Sequence, residues 1–213
     1  MNSLSNRAHY MDLRTKLHAC YDKLFEFYKS LPQGQISWFL PKNKKVPTGL
    51  LPSRGMSFES ASETNFFIQN TLLFGTNEAG VPLAELYRAS HRVSPEEEPF
   101  LKAIESAKAS VYEIIDAKES GQVTLQDLLE ERTITVYDTS LWRNDHVQGL
   151  VLGCAIMELD DITCIQCPVY MGIRDKENQV LFSHYARLKL PDGLLLLSCF
   201  IHRYGNTNTS LPQ

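Results

Sequence analysis

Apolar residues change their spacing twice along the chain, and these changes predict the architecture. From residue 8 to residue 30 they recur every three or four positions, which is the period of an amphipathic helix. The members of this stripe are Leu13, Leu17, Cys20, Tyr21, Leu24, Phe25 and Tyr28. Pro32 and Gly34 end the predicted helix.

Residues 31–56 are rich in proline and glycine and predict a loop, within which residues 36–40 are the one short segment with strand character. Residues 57–109 return mainly to helical spacing. Their clearest start signal is Ser94-Pro95, a serine cap before a proline at the first helical position. Glu96 to Glu98 follow and would face the positive end of the helix dipole. We therefore interpret these glutamates as helix-start residues and not as a metal or acid cluster.

Between residues 110 and 173 apolar residues recur at every second position, which is the period of a β-strand. Thr133 to Tyr137 is β-branched and alternating, which is typical of a strand, and Gly149 to Met157 is almost continuously apolar, as in a central strand. Asp160-Asp161 predicts a turn, after which residues 162–173 continue as one or two strands. Consecutive short strands joined by tight turns predict an antiparallel meander or a small barrel.

Residues 174–204 regain helical spacing, with an apolar stripe of Val180, Leu181, His184, Tyr185 and Leu188. Pro191-Asp192-Gly193 interrupts it, and residues 194–204 predict a last buried helix. Residues 205–213 read as a polar tail. We expect one α+β domain with N-terminal helices, a central antiparallel β unit and C-terminal helices.

Composition changes this picture little. Charged residues make up 22% of the chain and its net charge is −4, so no global field draws it to nucleic acid or to anionic membranes. No apolar run approaches the roughly 18 residues of a membrane helix, and the N-terminus lacks the apolar segment of a secretory signal. The five cysteines are odd in number and widely spread. We therefore expect reduced thiols and a cytoplasmic location.

Several segments between about residues 64 and 160 stand in a distinctive order. They are residues 65–67, 72–74, 81–87, 110–115, 123–129, 134–138 and 149–156. This order resembles an uncharacterised bacterial group, several of whose members end in the small SEC-C metal-binding motif. The resemblance implies a shared fold and a bacterial origin, with no assigned chemistry. The cysteine-rich SEC-C tail is missing here, so its metal role does not carry over.

The sharpest constellation of possible ligands is Cys164 and Cys167 with Cys199 and His202. Three thiolates and one imidazole are a tetrahedral zinc set. In a regular strand, however, Cys164 and Cys167 point to opposite faces, so they meet only across a turn or bulge. The 31 residues between the pairs also exceed the usual zinc-finger spacing. We favour buried free thiols and predict no cofactor, with a zinc-stabilised protein as an alternative.

A second alternative is an enzyme with a dispersed site around Asp145 and His146, which could form an acid–base pair in a polar loop. No motif places a nucleophile beside them, and no phosphate-binding or dinucleotide fingerprint occurs. A solvent-exposed loop is the interpretation we favour.

Aromatic and basic residues interleave at Trp142-Arg143, and at Trp38-Phe39 before Lys42, Lys44 and Lys45. On a small barrel they could form a stacking and phosphate-binding surface. Residues 110–161 nevertheless hold eleven Asp and Glu against three Lys and Arg, which disfavours nucleic acid. The sequence thus favours a non-catalytic bacterial cytosolic protein that binds another protein, itself or a ligand, and it leaves enzymatic activity undecided.

Overall fold

A computed structural model describes residues 3–32, 35–36, 61–141 and 146–204. These residues form helices and strands in the predicted α+β order. The elements are α1 (Ser3–Ser30), α2 (Ala61–Phe74), α3 (Leu83–Ser90), α4 (Glu98–Ser106), β1 (Lys108–Ala117), β2 (Gln122–Asp127), β3 (Thr133–Tyr137), β4 (Leu150–Leu159), β5 (Ile162–Ile173), α5 (Lys176–Leu188) and α6 (Asp192–Tyr204). None of the described helices is both long and apolar enough to cross a membrane.

The apolar stripe predicted for α1 is its buried face. Leu17 and Leu24 are completely buried, and Leu13, Cys20 and Tyr21 are each less than a tenth exposed. The helix begins at residue 3, five residues before the predicted start. Of the segment 36–40 that showed strand character, only Ile36 belongs to the described residues. The basic run at Lys42, Lys44 and Lys45 lies outside them.

The start of α4 has the predicted capping chemistry, although the helix itself begins at Glu98 and not at Pro95. The backbone N–H of Glu97 donates to Ser94 Oγ at 3.3 Å, and the Ser94 N–H donates to Glu97 Oε2 at 3.1 Å. This reciprocal pair is a capping box, which satisfies two donors that a helix start leaves unpaired. The capping box therefore spans the turn from Ser94 to Glu97, which directly precedes α4.

The five strands form a closed barrel in the order β1-β2-β3-β5-β4. Four of the pairings are antiparallel, as expected. The fifth is parallel and joins Tyr137 of β3 to Cys164 of β5, so the sheet is mixed. A barrel, and not an open meander, is thus the form that the short strands take. Closure removes the exposed strand edges that promote unwanted pairing.

Strand β5 contains irregularities that change which residues face which side. Gly153 pairs with Val169 but Ala155 pairs with Gln166, so β5 carries one extra residue between these pairs. Cys167 sits there with φ of 50°. This β-bulge shifts the alternation of the strand. Cys164 and Cys167 consequently belong to the same hydrophobic cluster, although regular alternation would separate them.

The apolar residues form two clusters. The smaller fills the barrel interior and includes Tyr112, Ile114 and Leu152. The larger lies between the helices and the outer surface of the barrel, and it includes residues from every described helix. Phe66 of α2 stacks on Phe200 of α6 within it, with ring centroids 4.4 Å apart.

The predicted stripe of α5 is wrong in one position. Leu181 and Tyr185 are buried as expected, but Val180 is 69% exposed and Phe182 is buried instead. Asp175 sets this orientation, because its side chain caps the helix by accepting from the Asn178 N–H at 2.8 Å. Asn178 then bonds back to the carbonyl of Ile173, so the helix begins with Asn178 turned inward.

Candidate functional site

The structure does not gather the four candidate zinc ligands. Cys164 and Cys167 lie in β5, whereas Cys199 and His202 lie on α6, with His202 exposed and Cys199 fully buried. Cys167 Sγ is directed at the carbonyl of Phe66, 3.7 Å away. In the described part of the chain, only His9, Asp160 and Asp161 form a group of three His, Cys, Asp or Glu ligand atoms within 4.8 Å of one another.

Burial makes the thiols poor nucleophiles. All five cysteines are free and buried. Burial raises the pKa of Cys20 and of Cys164 to about 11 and that of Cys199 to about 12. It raises the pKa of Cys154 and Cys167 further. Thiolates are the reactive and metal-binding form, so these side chains behave as apolar packing groups.

Only part of the loop proposed as an enzyme site belongs to the residues that the structure describes. Asp145 falls outside the described residues, and His146 is exposed. Beside this loop, a cavity of about 480 Å³ opens at one end of the barrel. Its walls are Ser140, Leu141, Val147, Leu150, Tyr170, Gly172 and Arg203. The walls are mainly apolar, and the Ser140 hydroxyl beside them donates to Asp138 Oδ1 at 2.6 Å.

His9, Asp160 and Asp161 connect α1 to the turn between β4 and β5. His9 Nε2 lies 3.0 Å from Asp161 Oδ1 and 3.9 Å from Asp160 Oδ2. The side chains are 40%, 71% and 68% exposed, respectively. Exposed groups of this kind form a surface hydrogen bond that screening by solvent weakens. We assign them the role of fastening the two elements together.

A cavity of about 620 Å³ lies along α1. We call it the α1–α4 cavity. It lies between α1, the start of α4 and the β4–β5 turn, and its lining consists of Leu13, Lys16, Ala19, Cys20, Lys23, Glu96, Glu97, Pro99, Phe100 and Asp160. Its accessible surface is predominantly apolar, and five of its lining side chains are charged. Concave apolar sites of 300–1,000 Å³ with a few polar groups are the usual form of binding pockets.

A second cavity of about 430 Å³ follows along the same helix. We call it the aromatic pocket, since its walls include three rings. Its lining is Asp22, Lys23, Glu26, Phe27, Ser30, Tyr87 and His91. The two cavities share Lys23, whose Nζ lies 2.6 Å from Glu97 Oε1. This ion pair stands between them, and together the three features form what we call the α1 groove.

The α1 groove is long and acidic. Its lining on α1 runs from Leu13 to Ser30, which is about 26 Å at 1.5 Å per residue. Five carboxylates line it against two ammonium groups, a formal charge of −3; they are Asp22, Glu26, Glu96, Glu97 and Asp160 against Lys16 and Lys23. The hydrogen bond from Lys23 is the main reason that the pKa of Glu97 is lowered, so this carboxylate stays ionised.

The walls of this groove were predictable from the sequence, whereas the groove itself was not. The Ser94–Glu98 start and the apolar stripe of α1 were both visible as local patterns. Their juxtaposition depends on Lys23 meeting Glu97, 74 positions along the chain. The charged residues flanking the stripe were the only available signal, and such residues are usual on any exposed helix face.

Comparison with known proteins gives a family and no activity. No curated protein matches the chain, and no solved structure matches it. A family model described as a family of unknown function, DUF7986, matches residues 5–190. This match spans α1, the whole barrel and α5, and it includes every residue that lines the α1 groove. The chain belongs to this family of unknown function, DUF7986.

Proposed function

We propose that this protein is a non-catalytic interaction module, and that its α1 groove receives a basic, partly apolar segment of a partner protein. The observation that carries the proposal is the groove itself: two partly apolar cavities, separated by the Lys23–Glu97 ion pair, that together extend about 26 Å along α1 and whose lining has a formal charge of −3. Grooves of this shape accept amphipathic segments through apolar anchors. Complementary charge at the rim selects the partner and speeds its approach.

The apolar and the charged lining residues favour different side chains on the partner segment. Ala19 lines the α1–α4 cavity and is exposed, so its small side chain leaves room for a partner side chain. Glu96 and Asp160 are exposed, and they favour lysine or arginine on the partner. An acidic nucleic acid would meet the same carboxylates and be repelled.

The test uses two capped helical probe peptides of about 14 residues, about 21 Å long. One combines leucine with lysine, and the other has glutamate at every lysine position. Fluorescence anisotropy of labelled peptides measures the affinity. We expect the lysine peptide to bind at least about tenfold more tightly, and to weaken between about 50 and about 300 mM salt. Equal affinity of the two peptides overturns the proposal.

A matched pair of variants tests whether the lysine peptide binds in the α1 groove. Ala19→Trp fills the groove, whereas Ala8→Trp makes the same change at an exposed position of α1 that lines neither cavity. We expect Ala19→Trp to weaken the lysine peptide by about fivefold or more, a loss of about 1 kcal/mol, and Ala8→Trp to leave it unchanged. If both variants bind like the parent chain, the peptide does not use the groove and the proposal fails.

The proposal includes a bacterial cytosolic setting. Five free and buried cysteines support a reducing compartment, and the resemblance to the bacterial group with SEC-C members supports the origin. Fractionation of bacterial cells that produce the native chain checks the setting: recovery with the periplasm or the membranes would contradict it.

A further inference from the structure

The aromatic pocket has walls that meet at a steep angle. Tyr87 and His91 stack with ring centroids 4.4 Å apart and planes 11° apart. Phe27 lies 5.5 Å from Tyr87 and 5.2 Å from His91, with interplanar angles of 71° and 82°. Phe27 therefore stands nearly perpendicular to the stacked pair, and the three rings form a corner at one side of the 430 Å³ cavity.

Local structure holds these rings in place. Tyr87 and His91 are four residues apart at the end of α3, where side chains of that spacing lie one above the other. His91 Nδ1 is 2.9 Å from Ser90 Oγ and 3.2 Å from the Tyr87 carbonyl. The His91 backbone N–H also donates to that carbonyl, at 3.0 Å. The corner is thus formed in the free protein, and binding needs little reorganisation.

Two carboxylates border the rings. Asp22 and Glu26 are four residues apart on α1 and both line the pocket, so they share one face of the helix. The single lysine in the lining, Lys23, is bound to Glu97 at 2.6 Å. Glu26 also meets Lys29 at 2.6 Å, while Asp22 is exposed. The pocket therefore combines three aromatic side chains with the exposed carboxylate of Asp22.

We propose that the aromatic pocket binds a weakly hydrated organic cation, of which a quaternary ammonium and a guanidinium are the two natural sources. A cation within about 6 Å of an aromatic face is attracted by the ring quadrupole. A delocalised or methylated cation loses little hydration when it leaves water for this pocket. The exposed carboxylate of Asp22 adds a second attraction, whereas the charge of Glu26 is shared with Lys29.

This inference deepens the proposed function, on which it rests for its biological use: it supplies a specific anchor for a cationic side chain of the partner. Binding of the free cation does not depend on the rest of the groove. The α1–α4 cavity and the aromatic pocket can therefore be tested separately.

The experiment titrates the full chain with two matched pairs of probes and follows aromatic side-chain resonances by NMR. Choline is compared with 3,3-dimethyl-1-butanol, its neutral isostere, and N-acetylarginine amide with N-acetylcitrulline amide. We expect each cation to bind about tenfold more tightly than its neutral counterpart and to shift the resonances of Phe27, Tyr87 and His91. The stronger of the two cations identifies the source. No preference for either cation overturns the inference.

Three variants separate the causes. Phe27→Leu retains an apolar wall without a ring. The affinity for choline should therefore fall about fivefold, while the affinity for 3,3-dimethyl-1-butanol stays unchanged. Asp22→Asn should weaken both cations about threefold through loss of the carboxylate charge. Glu85→Gln is the charge-matched control, because Glu85 is exposed on α3 and does not line the pocket. Equal effects of Asp22→Asn and Glu85→Gln would overturn the assignment to this pocket.

The outcomes distinguish this inference from the proposed function. If Ala19→Trp weakens binding of the lysine peptide but neither cation is preferred over its neutral counterpart, the inference is wrong and the proposed function stands. Cation binding without peptide binding sinks the proposed function and leaves a small-cation site.

Discussion

Cys199 on α6 lies directly against the backbone of Gly153 in β4. A Cβ atom added at Gly153 would lie 2.7 Å from Cys199 Sγ and 2.8 Å from Cys199 Cβ, closer than real side chains pack. Helix α6 can therefore approach the barrel at this point only because residue 153 has no side chain. Both residues belong to the helix–barrel contact, and Cys199 is fully buried there.

We expect Gly153→Ala to destabilise the protein by about 1–3 kcal/mol, because overpacking of a close helix–sheet contact forces backbone shifts. Urea unfolding followed by circular dichroism measures the change. Adding Cys199→Ala removes the Sγ atom but leaves the Cβ contact, so the double variant should recover part of the loss. An unchanged unfolding midpoint for Gly153→Ala would show that α6 is not held this closely.

Local rules were sufficient for most of the elements. The β-branched alternation of Thr133–Tyr137 predicted β3. Ser94-Pro95 predicted a serine cap, and the structure contains it as the hydrogen bond from the Glu97 N–H to Ser94 Oγ. Val180 was misplaced because an apolar side chain was assumed to face the core. The inward turn of Asn178, set by the Asp175 cap, decided the orientation instead.

Contacts between residues distant in sequence could not be predicted from such local patterns. The parallel pair of Tyr137 with Cys164 closes the barrel, and no local pattern distinguishes a closing strand from the last strand of a meander. The bulge at Cys167 likewise follows from pairing with β4. The α1 groove depends on helices that are distant in sequence, so its walls were predictable and their meeting was not.

Asp127 organises the turn that follows β2. Its side chain is completely buried, and Oδ1 accepts from Ser110 Oγ at 2.7 Å, from Leu129 N at 2.9 Å and from Glu130 N at 3.1 Å. Asp127→Ala leaves these donors without their acceptor, so we expect a loss of about 2–4 kcal/mol. Chemical denaturation at neutral pH measures it.

Asp127→Asn is the informative companion. It retains an oxygen acceptor for the three donors while it removes the charge, whose Oδ2 lies 3.7 Å from Arg132 Nε. We expect it to lose less than half of what Asp127→Ala loses. If the two variants are equally destabilised, the charge and not the turn hydrogen bonds is what matters here.

The ion pair across the α1 groove should make stability depend on acid pH. The pKa of Glu97 is lowered from its ordinary value of 4.5, first by the hydrogen bond from Lys23 and then by that from the Ser94 backbone. The unfolded chain thus binds this proton more tightly than the folded chain does. The stabilisation is complete above the ordinary pKa and is lost as the pH falls through the lowered folded value.

We therefore expect Glu97→Gln to lower the free energy of unfolding by about 1 kcal/mol at pH 7, allowing for solvent screening of the ion pair. The difference from the parent chain should shrink as the pH falls below the lowered folded pKa of Glu97, where the carboxylate is protonated in both states. Glu96→Gln removes the neighbouring exposed charge and serves as control. A difference for Glu97→Gln that is constant with pH would contradict the titration argument.

The candidate zinc ligands make a prediction about metal content. Because Cys164, Cys167, Cys199 and His202 do not form a group of converging ligand atoms among the described residues, we expect a chelator to have no effect through them. We expect protein purified without chelator to carry far less than one zinc per chain, and to unfold at the same temperature with and without EDTA. Stoichiometric zinc by elemental analysis, lost together with stability in Cys164→Ser, would restore the zinc-stabilised alternative.

The same thiols should resist modification until the protein unfolds. With the pKa of Cys20 and Cys164 near 11 because of burial, the thiolate fraction at pH 7.5 is below about 0.1%. We expect Ellman's reagent to modify no cysteine rapidly in the native state and all five in guanidinium chloride. Cys20 lines the α1–α4 cavity, so any slow native reaction should occur there first and should slow further when the lysine peptide is bound. Fast native labelling of Cys199 would instead show that α6 separates from the barrel, and fast labelling of Cys154 would show that the barrel itself opens, because both thiols are fully buried.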